Sequence, residues 1–307
     1  MTSELVPGDL VQLTDNKGRH HTITLTPGAV FHTHKGALPH DDLIGSTEGS
    51  VVTSSGGMPY LALRPILEDF VLSMGRGAAI IYPKDAFAIV GLAGIGPGST
   101  VVEAGAGSGA LTCFLLTAVG PTGRVVSYEM RPEFAEVARR NVERWFTAAG
   151  SIPPGGTPAH WQLIVGDLAE AMPADADALV LDMLAPWDCL DAAARILRPG
   201  GRLIGYVATT TQLSRLAEQL RADARWTEPR ATESMVRTWH LEGLAVRPDH
   251  RMIAHTAFLL ATRRLADGQE PPLRRRRPAP GAYGPDYSGP RPPEVATLDP
   301  ASGEPGS

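Results

Sequence analysis

The feature that most constrains the fold of this chain is the glycine-rich stretch at residues 101–112. A short β-branched run leads through Gly105, Gly107 and Gly109 into an apolar segment that continues to about Val119. Glycine suits such a turn because it adopts backbone angles that other residues avoid, and because it lets a ligand lie against the main chain. A strand, a glycine loop and a helix in this order predict a cradle for a nucleotide cofactor.

Composition limits the classes of protein that this chain can represent. Its 307 residues include 28 Lys and Arg against 33 Asp and Glu, a formal net charge of −5. This balance gives no support to nonspecific polyanion binding, so a nucleic-acid role must depend on local patches. Cys113 and Cys189 both lie in apolar segments, which predicts reduced core thiols and excludes a disulfide-built secreted fold. With no secretory signal and no membrane span visible, we expect a soluble cytoplasmic protein.

Residues 1–75 have the pattern of a small β-rich N-terminal domain. Strand-like runs at 11–14 and 22–25 flank a turn-forming segment, and runs at 50–53 and 60–63 repeat that arrangement. The same region holds the pair His32 and His34. No cysteine or carboxylate stands at a convincing ligand spacing from them, so we expect polar histidines and no metal site.

Residues 76–267 alternate between strand and helix patterns. Residues 268–307 contain 10 Pro and 6 Gly, a composition that predicts a disordered tail. A solvated charge run is the expected state of Arg274–Arg277 in that tail. The final two strands follow one another without a clear helix between them, so we predict a doubly wound α/β sheet that ends in a β-hairpin. The predicted strands are at 79–82, from 101, and at 124–129, 161–165, 178–182, 202–207, 234–239 and 257–262; the predicted helices are at 86–93, 110–119, 131–146, 188–197 and 211–222.

The glycine loop alone does not decide which cofactor it holds. Glu129, at the end of the next strand, could bind a ribose diol of either NAD or S-adenosylmethionine. Glu103, just before the loop, would be poorly placed beside a pyrophosphate but is acceptable near a cationic methionine group. Asp167, at the end of the third strand, can accept a hydrogen bond from the exocyclic amine of an adenine. Acids at three strand ends therefore favour S-adenosylmethionine, although any one of them could instead be a helix cap.

A further acid, Asp182, ends the fourth strand and is followed by Pro186 and Trp187. In an open α/β sheet the carboxyl ends of the strands border the ligand crevice. A carboxylate beside a flat pocket suits an amino-bearing nucleobase, and an indole ring offers a surface for stacking. The alternative is that Asp182 caps the following helix and that Trp187 belongs to the core.

With these motifs in view, the chain resembles the tRNA (adenine(58)-N1)-methyltransferase family, most closely its bacterial, actinobacterial-like members. The resemblance implies a class I S-adenosylmethionine-dependent methyltransferase, with a Rossmann-like seven-stranded sheet and a small N-terminal β domain. It also implies a homotetramer and methyl transfer to N1 of adenine 58 in the tRNA T-loop. The motifs that carry it are Phe31–Gly36, Ile81–Asp85, Glu103–Thr112, Asp182–Trp187 and Tyr206–Thr209.

The resemblance also assigns roles to residues. It implies that Asp182 is the catalytic carboxylate and that Tyr82 and Tyr206 border the target-base pocket. Leu184 replaces a proline that many relatives have, which leaves the carboxylate and the Pro-Trp pair in place. The implied cofactor-binding residues are Glu103, Gly105, Gly107, Ser108, Gly109, Ala110, Leu111, Glu129, Asp167 and Asp182.

The acceptor is the part that composition does not report. A methyltransferase with a protein or small-molecule acceptor, a noncatalytic tRNA-binding subunit and an NAD-dependent oxidoreductase remain as alternatives. For tRNA, the sequence offers two candidate docking regions, one with Lys17, Arg19 and Lys35, and another with Arg247, His250 and Arg251. A tetramer could gather such patches from several subunits.

Overall fold

The computed structural model describes residues 4–271 together with positions 282 and 285, so most of the predicted tail lies outside the described residues. The N-terminal elements are β1 (Leu10–Asp15), β2 (His20–Thr24), β3 (Val30–Thr33), β4 (Gly36–Pro39), β5 (Val51–Thr53), β6 (Pro59–Leu63) and α1 (Leu67–Ser73). They continue with α2 (Pro83–Ala93), β7 (Thr100–Ala104), α3 (Ala110–Val119), β8 (Arg124–Glu129), α4 (Pro132–Ala148), β9 (Trp161–Val165), β10 (Ala176–Asp182) and α5 (Leu190–Ile196). The last elements are β11 (Leu197–Val207), α6 (Thr210–Ala222), β12 (Arg230–Thr232), β13 (Trp239–Glu242), β14 (Ala245–Pro248) and β15 (Phe258–Arg263).

The N-terminal part contains a four-stranded antiparallel sheet in the order β2-β1-β6-β5, with β3 and β4 as a separate two-stranded ribbon. Both predicted strand pairs are present, since β1 pairs with β2 and β5 pairs with β6. The N-terminal part has a separate hydrophobic core, which includes Leu13, Leu38 and Tyr60. The small N-terminal β region is therefore observed, while the boundary at residue 75 stays a prediction.

The larger sheet has seven strands in the order β12-β15-β11-β10-β7-β8-β9. The five strands from β11 to β9 are parallel, and β15 runs antiparallel to both β11 and β12. Residues 178–181 of β10 are fully buried, as expected of a parallel strand covered on both faces. One core lies against α2 and α3 and the other against α5 and α6. The carboxyl ends of β7, β8, β10 and β11 consequently meet at one edge of the sheet.

The prediction of a strand at 79–82 was wrong. Ile80 and Ile81 are buried, which explains the strand-like pattern, but no strand pairs with this segment. Just before this segment, the amide groups of Gly77 and Ala78 donate to the Ser108 hydroxyl. Pro83 then starts α2, three residues earlier than the predicted helix, because its fixed φ angle suits the first helical position.

The prediction of a strand at 234–239 was also wrong. The strand that completes the large sheet is β12, and the chain then leaves the sheet and returns only at β15. Between them, β13 and β14 form an antiparallel hairpin outside the large sheet. The sheet therefore ends in an antiparallel strand pair, as predicted, but a long excursion joins the two strands.

Smaller differences occur around α5. A one-turn 3-10 helix at Pro186–Cys189 precedes α5, where the sequence predicted one continuous helix. Residues 198–201, which separate the predicted helix at 188–197 from the predicted strand at 202–207, are an irregularity within β11, which begins at Leu197 and changes register against β10 at this point. Gly200 has a φ of 80° there. Among the described residues, no helix is both long and apolar enough to span a bilayer.

Candidate active site

The glycine loop joins β7 to α3 and is held closely from two sides. Gly105, Gly107 and Gly109 have φ angles of 37°, 54° and 79°, in the left-handed region that favours glycine. A Cβ atom on Gly105 would lie 2.6 Å from the carbonyl oxygen of Asp182, and one on Gly109 would lie 3.0 Å from that of Ala138. The loop therefore fits between the end of β10 and helix α4 only because these positions lack side chains.

Three other predicted cofactor residues have structural side chains. Ser108 is buried, and its Oγ accepts hydrogen bonds from the amides of Gly77 and Ala78 at 3.1 and 3.2 Å. Ala110 and Leu111 are buried in the first turn of α3. Because these three side chains are buried, only the backbone groups of Ser108, Ala110 and Leu111 could contact a cofactor.

Glu129, the last residue of β8, lies at the mouth of this loop. Its Oε2 accepts from the Gly107 amide at 2.9 Å, and its Oε1 accepts from the Arg131 amide at 3.1 Å. The Arg131 guanidinium is 3.3 Å from the same oxygen and stacks over the Phe134 ring. A carboxylate positioned in this way has the acceptor chemistry that a ribose diol requires.

Glu103 lies deeper, within β7. Its Oε1 accepts from the Thr112 hydroxyl at 2.5 Å and from the Ser127 hydroxyl at 2.6 Å, and Ser127 in turn accepts from Trp161. Burial raises the pKa of Glu103 to about 7, and the charges of Asp182 and Glu129 add to the rise. Its side chain therefore ties β7, β8 and α3 together, and its predicted role toward the cofactor stays a prediction.

Asp182 ends β10, half-buried and directly opposite Tyr206 of β11 in the parallel register. Burial raises the pKa of Asp182 to about 7, with a further contribution from the negative charge of Glu129. Burial and the nearby acids Asp85 and Asp182 raise the pKa of Tyr206 well above its usual range. A readily protonated carboxyl and a neutral phenol thus stand side by side at the strand ends.

Two predicted site residues lie farther out. Asp167 is exposed beyond the edge strand β9, and its Oδ1 accepts from the Ala169 amide at 2.9 Å. Tyr82 is half-buried, and its carbonyl accepts from the amide of Asp85 at the start of α2. The structure brings together Glu103, Gly105, Gly107, Glu129, Asp182 and Tyr206, and leaves Asp167 at the rim.

The structure answers both parts of the alternative interpretation of this strand end. No side chain caps α5 or the 3-10 helix before it, so Asp182 is not a helix cap. Trp187 packs partly against the core, and the Arg215 guanidinium lies 4.2 Å above its ring. The Arg215 guanidinium therefore covers one face of the indole, and the use of the ring as a stacking surface stays a prediction.

Sequence reasoning missed two polar groups beneath this site. Lys84 and Asp85 form a buried ion pair in the first turn of α2. Asn141 donates to the carbonyls of Gly75 and Ser108, both at 2.8 Å, and so supports the glycine loop from α4. The sequence signal for the ion pair was two charged residues shortly after the apolar segment at 79–82. The signal for Asn141 was a single amide on an otherwise apolar face of α4.

The chemistry of this site can be tested against the expected cofactor. Three carboxylates, those of Glu103, Glu129 and Asp182, surround the glycine loop, and the charge of Glu129 adds to the raised pKa of both Glu103 and Asp182. Such a site disfavours the two negative charges of a pyrophosphate and favours a cationic sulfonium. No group of three metal-ligating side chains occurs among residues 4–271. The residues present therefore fit S-adenosylmethionine better than a dinucleotide.

Comparisons with known proteins agree with this chemistry. Residues 4–52 match the family described as TrmI-like N-terminal, and residues 60–255 match that described as tRNA methyltransferase complex GCD14 subunit. The tRNA (adenine(58)-N(1))-methyltransferase TrmI of Thermus thermophilus is 39% identical over 265 residues, which cover 84% of this chain and 97% of the relative. The tRNA (adenine(57)-N(1)/adenine(58)-N(1))-methyltransferase TrmI of Methanocaldococcus jannaschii is 32% identical, over 82% of this chain and 93% of the relative.

Solved structures give the same result for the fold. A SAM-dependent O-methyltransferase from Thermotoga maritima superposes with a TM-score of 0.79 at 29% identity, covering 87% of this chain and 97% of that one. The tRNA (m1A58) methyltransferase TrmI from Aquifex aeolicus gives a TM-score of 0.73 at 26% identity, with coverage of 86% and 99%. The fold is that of a class I methyltransferase, as predicted. The chain belongs to the TrmI-type tRNA (adenine(58)-N1)-methyltransferase family.

Proposed function

We propose that this protein transfers a methyl group from S-adenosylmethionine to N1 of adenine 58 in the T-loop of tRNA. The observation that carries the proposal is the register of Asp182 against Tyr206 at the strand ends beside the glycine loop. A carboxyl and a phenol at this place can hold the amino-bearing edge of an adenine. Family membership and the names of the relatives support the same acceptor.

The residues around the glycine loop divide the work of holding the cofactor. We assign the ribose diol to Glu129, the adenine amino group to Asp167, and close approach of the backbone to Gly105, Gly107 and Gly109. When bound, S-adenosylmethionine supplies a methyl group on a sulfonium, and the N1 lone pair of adenine can take it in a direct displacement. Positioning of the two reactants supplies much of the rate in such a transfer.

Asp182 acts on the acceptor. Its carboxylate accepts a hydrogen bond from the N6 amino group, which orients N1, and it then accepts an N6 proton or stabilises the positive charge that appears on the base. Tyr82 and Tyr206 border the base on either side of this contact. The target adenine is stacked in folded tRNA, so its extrusion into the pocket costs a few kcal/mol that contacts in the pocket must offset.

A methylation assay tests this proposal. The purified protein is incubated with labelled S-adenosylmethionine and unmodified tRNA, and the label is located by nuclease digestion and mass spectrometry. We expect 1-methyladenosine at position 58. Label on protein or on a small molecule would favour the alternative acceptors, and failure to bind S-adenosylmethionine in calorimetry would favour a noncatalytic subunit.

We further propose that the protein is a cytoplasmic homotetramer, as the family resemblance implies. The segment from 235 to 253 supports self-association because large apolar side chains are exposed along it. Exposed apolar patches of this kind mark interaction surfaces. The members are Met235, Val236, Trp239, Leu241, Leu244, Val246, Met252 and Ile253.

A further inference from the structure

The Lys84–Asp85 ion pair lies at the start of α2, in the layer beneath the proposed target-base pocket. Its atoms Nζ and Oδ1 are 2.7 Å apart, and the two side chains are 5% and 0% exposed. Removal of a salt bridge from water costs free energy that attraction repays only when every polar atom finds a partner. The partners of this pair therefore indicate what it organises.

Asp85 accepts hydrogen bonds from four side chains. Its Oδ1 accepts from Lys84 and from the Ser234 hydroxyl, each at 2.7 Å. Its Oδ2 accepts from the Thr256 hydroxyl at 2.5 Å and from the Tyr206 hydroxyl at 3.4 Å. The Tyr206 contact is the longest of the four, and it is the one that reaches the proposed active site.

Lys84 uses its three protons on the same group of residues. Besides Asp85, it donates to the Thr256 hydroxyl at 2.6 Å and to the Ser234 carbonyl at 2.9 Å. Ser234 and Thr256 lie at the two ends of the excursion between β12 and β15, which carries the hairpin β13–β14. One buried carboxylate therefore joins α2, the end of β11 and both ends of this excursion.

A second contact secures the excursion to the same strand end. His255 is 3.0 Å from Glu233 and 2.8 Å from the carbonyl oxygen of Ala208, which follows β11. A backbone bridge between Val236 and Ile253 closes its base. The base of the excursion is thus held in place next to Tyr206.

The hydrogen bond to Asp85 also decides what Tyr206 can offer to a base. A phenol has one proton to donate, and its oxygen retains lone pairs that accept. When that proton goes to Asp85, the oxygen is available as an acceptor beside Asp182. Two neighbouring acceptors suit the amino group of an adenine, whereas a freely rotating hydroxyl would present a donor part of the time.

We infer that Asp85 is a positioning residue for the target adenine, acting by fixing the Tyr206 phenol and the base of the 234–256 excursion around Asp182. The inference rests on the proposed function and assigns Asp85 no contact with substrate. A purely structural role would predict reduced stability and an unchanged turnover in the folded protein. The two roles therefore differ in a measurable way.

The test compares Asp85→Asn, Tyr206→Phe and the double variant in the full chain, with wild type assayed alongside. We expect Asp85→Asn to lower kcat for tRNA methylation roughly tenfold to a hundredfold, in line with the cost of a misplaced group, while calorimetric affinity for S-adenosylmethionine is retained. Because Asp85 acts through Tyr206, the double variant should be no slower than the slower single variant. Asp85→Glu should recover part of the loss.

Asp9→Asn serves as the control, since Asp9 forms a largely buried ion pair with Arg64 at 2.6 Å at the edge of the N-terminal sheet. It should lower the unfolding temperature and leave kcat unchanged. The inference is overturned if Asp85→Asn behaves like this control. It is also overturned if the losses of kcat in Asp85→Asn and Tyr206→Phe are additive in the double variant. If Asp85→Asn does not fold, Thr256→Val decides: a reduced kcat in the folded variant supports the inference and an unchanged kcat overturns it. A wild type that methylates no tRNA would refute the proposed function instead.

Discussion

The carbonyl oxygen of Asp182 lies 2.6 Å from the place where a side chain on Gly105 would begin. The residue that we assign to the methyl acceptor and the first glycine of the cofactor loop are therefore in contact through their backbones. Since Gly105 follows β7 and Asp182 ends the neighbouring strand β10, the parallel pairing of these strands sets the relative position of the two functions.

Gly105→Ala should disturb both functions. The left-handed φ angle alone costs about 1–2 kcal/mol for a residue with a side chain, and the contact with the Asp182 carbonyl adds to this. We expect a lower free energy of unfolding in urea and a weakened calorimetric affinity for S-adenosylmethionine. Gly57→Ala is the control, because Gly57 has a φ of 80° and open space around it. Equal losses in the two variants would show that the contact has no effect.

Asp182→Asn should separate chemistry from cofactor binding. Loss of a positioned acid–base group lowers kcat by roughly a hundred- to ten-thousandfold, whereas the affinity for S-adenosylmethionine should be largely retained. Single-turnover assays with tRNA measure the first quantity and calorimetry the second. Asp188→Asn, at an exposed acid six residues further on, is expected to have little effect. A variant of Asp182 with the wild-type rate would remove this residue from the mechanism.

The sequence alone predicts part of this strand-end site and misses the rest. The places of Asp182, Glu129 and the glycines were predictable because the two acids end, and the glycine loop directly follows, a strand with a clear apolar pattern. The hydrogen-bond network around the Lys84–Asp85 ion pair was not predictable. Its members Ser234 and Thr256 come from about 150 and 170 residues further along the chain, and the return of β15 to the sheet brings them close. The segment at 79–82 misled for the opposite reason, since burial without strand pairing produces the same apolar pattern.

Glu103 should make the stability of the protein depend on pH. Its pKa is about 7 in the folded chain against an ordinary value of 4.5, so the unfolded chain releases the proton first. The stability that Glu103 contributes is therefore greatest below about pH 4.5, falls as the pH rises to about 7, and then levels off, a loss on the order of 3 kcal/mol. Urea unfolding at pH 5 and pH 8 should show a smaller difference in stability for Glu103→Gln than for wild type, and the part that remains comes from Asp182, whose pKa is also raised to about 7. Exposed Glu133, replaced by Gln, provides the control, and identical pH profiles for both variants would contradict the assignment.

The exposed apolar segment should control assembly. Leu241 and Leu244 on the hairpin β13–β14 are 74% and 105% exposed, and a serine at both positions removes apolar area that association would bury. We expect the double variant to give smaller species than wild type in native mass spectrometry and light scattering. Val51→Ser changes a comparably exposed side chain on β5 and should leave the mass unchanged. Retention of the wild-type mass by the hairpin variant would remove this segment from the interface.

The surface that binds tRNA should be identifiable from the dependence of affinity on salt. Affinity falls as salt concentration rises, and each cation that neutralises a phosphate makes the slope of log affinity against log salt concentration steeper by roughly 0.9 on B-form DNA. Removal of a contacting cation should therefore make this slope shallower. We expect such a change for Lys35→Ala in the N-terminal region and for Arg247→Ala and Arg251→Ala near the hairpin, since all three side chains are exposed.

Arg19→Ala offers a control within the same N-terminal region. The Arg19 guanidinium already pairs with Asp15 at 2.6 Å, so this cation contributes less to a phosphate contact than an unpaired one would. Its substitution should change the slope less than that of Lys35. If the slope becomes shallower only for the two arginines, tRNA docks near the hairpin β13–β14, and if it does so only for Lys35, tRNA docks on the β3–β4 ribbon of the N-terminal region. Unchanged slopes in all three test variants would exclude both surfaces.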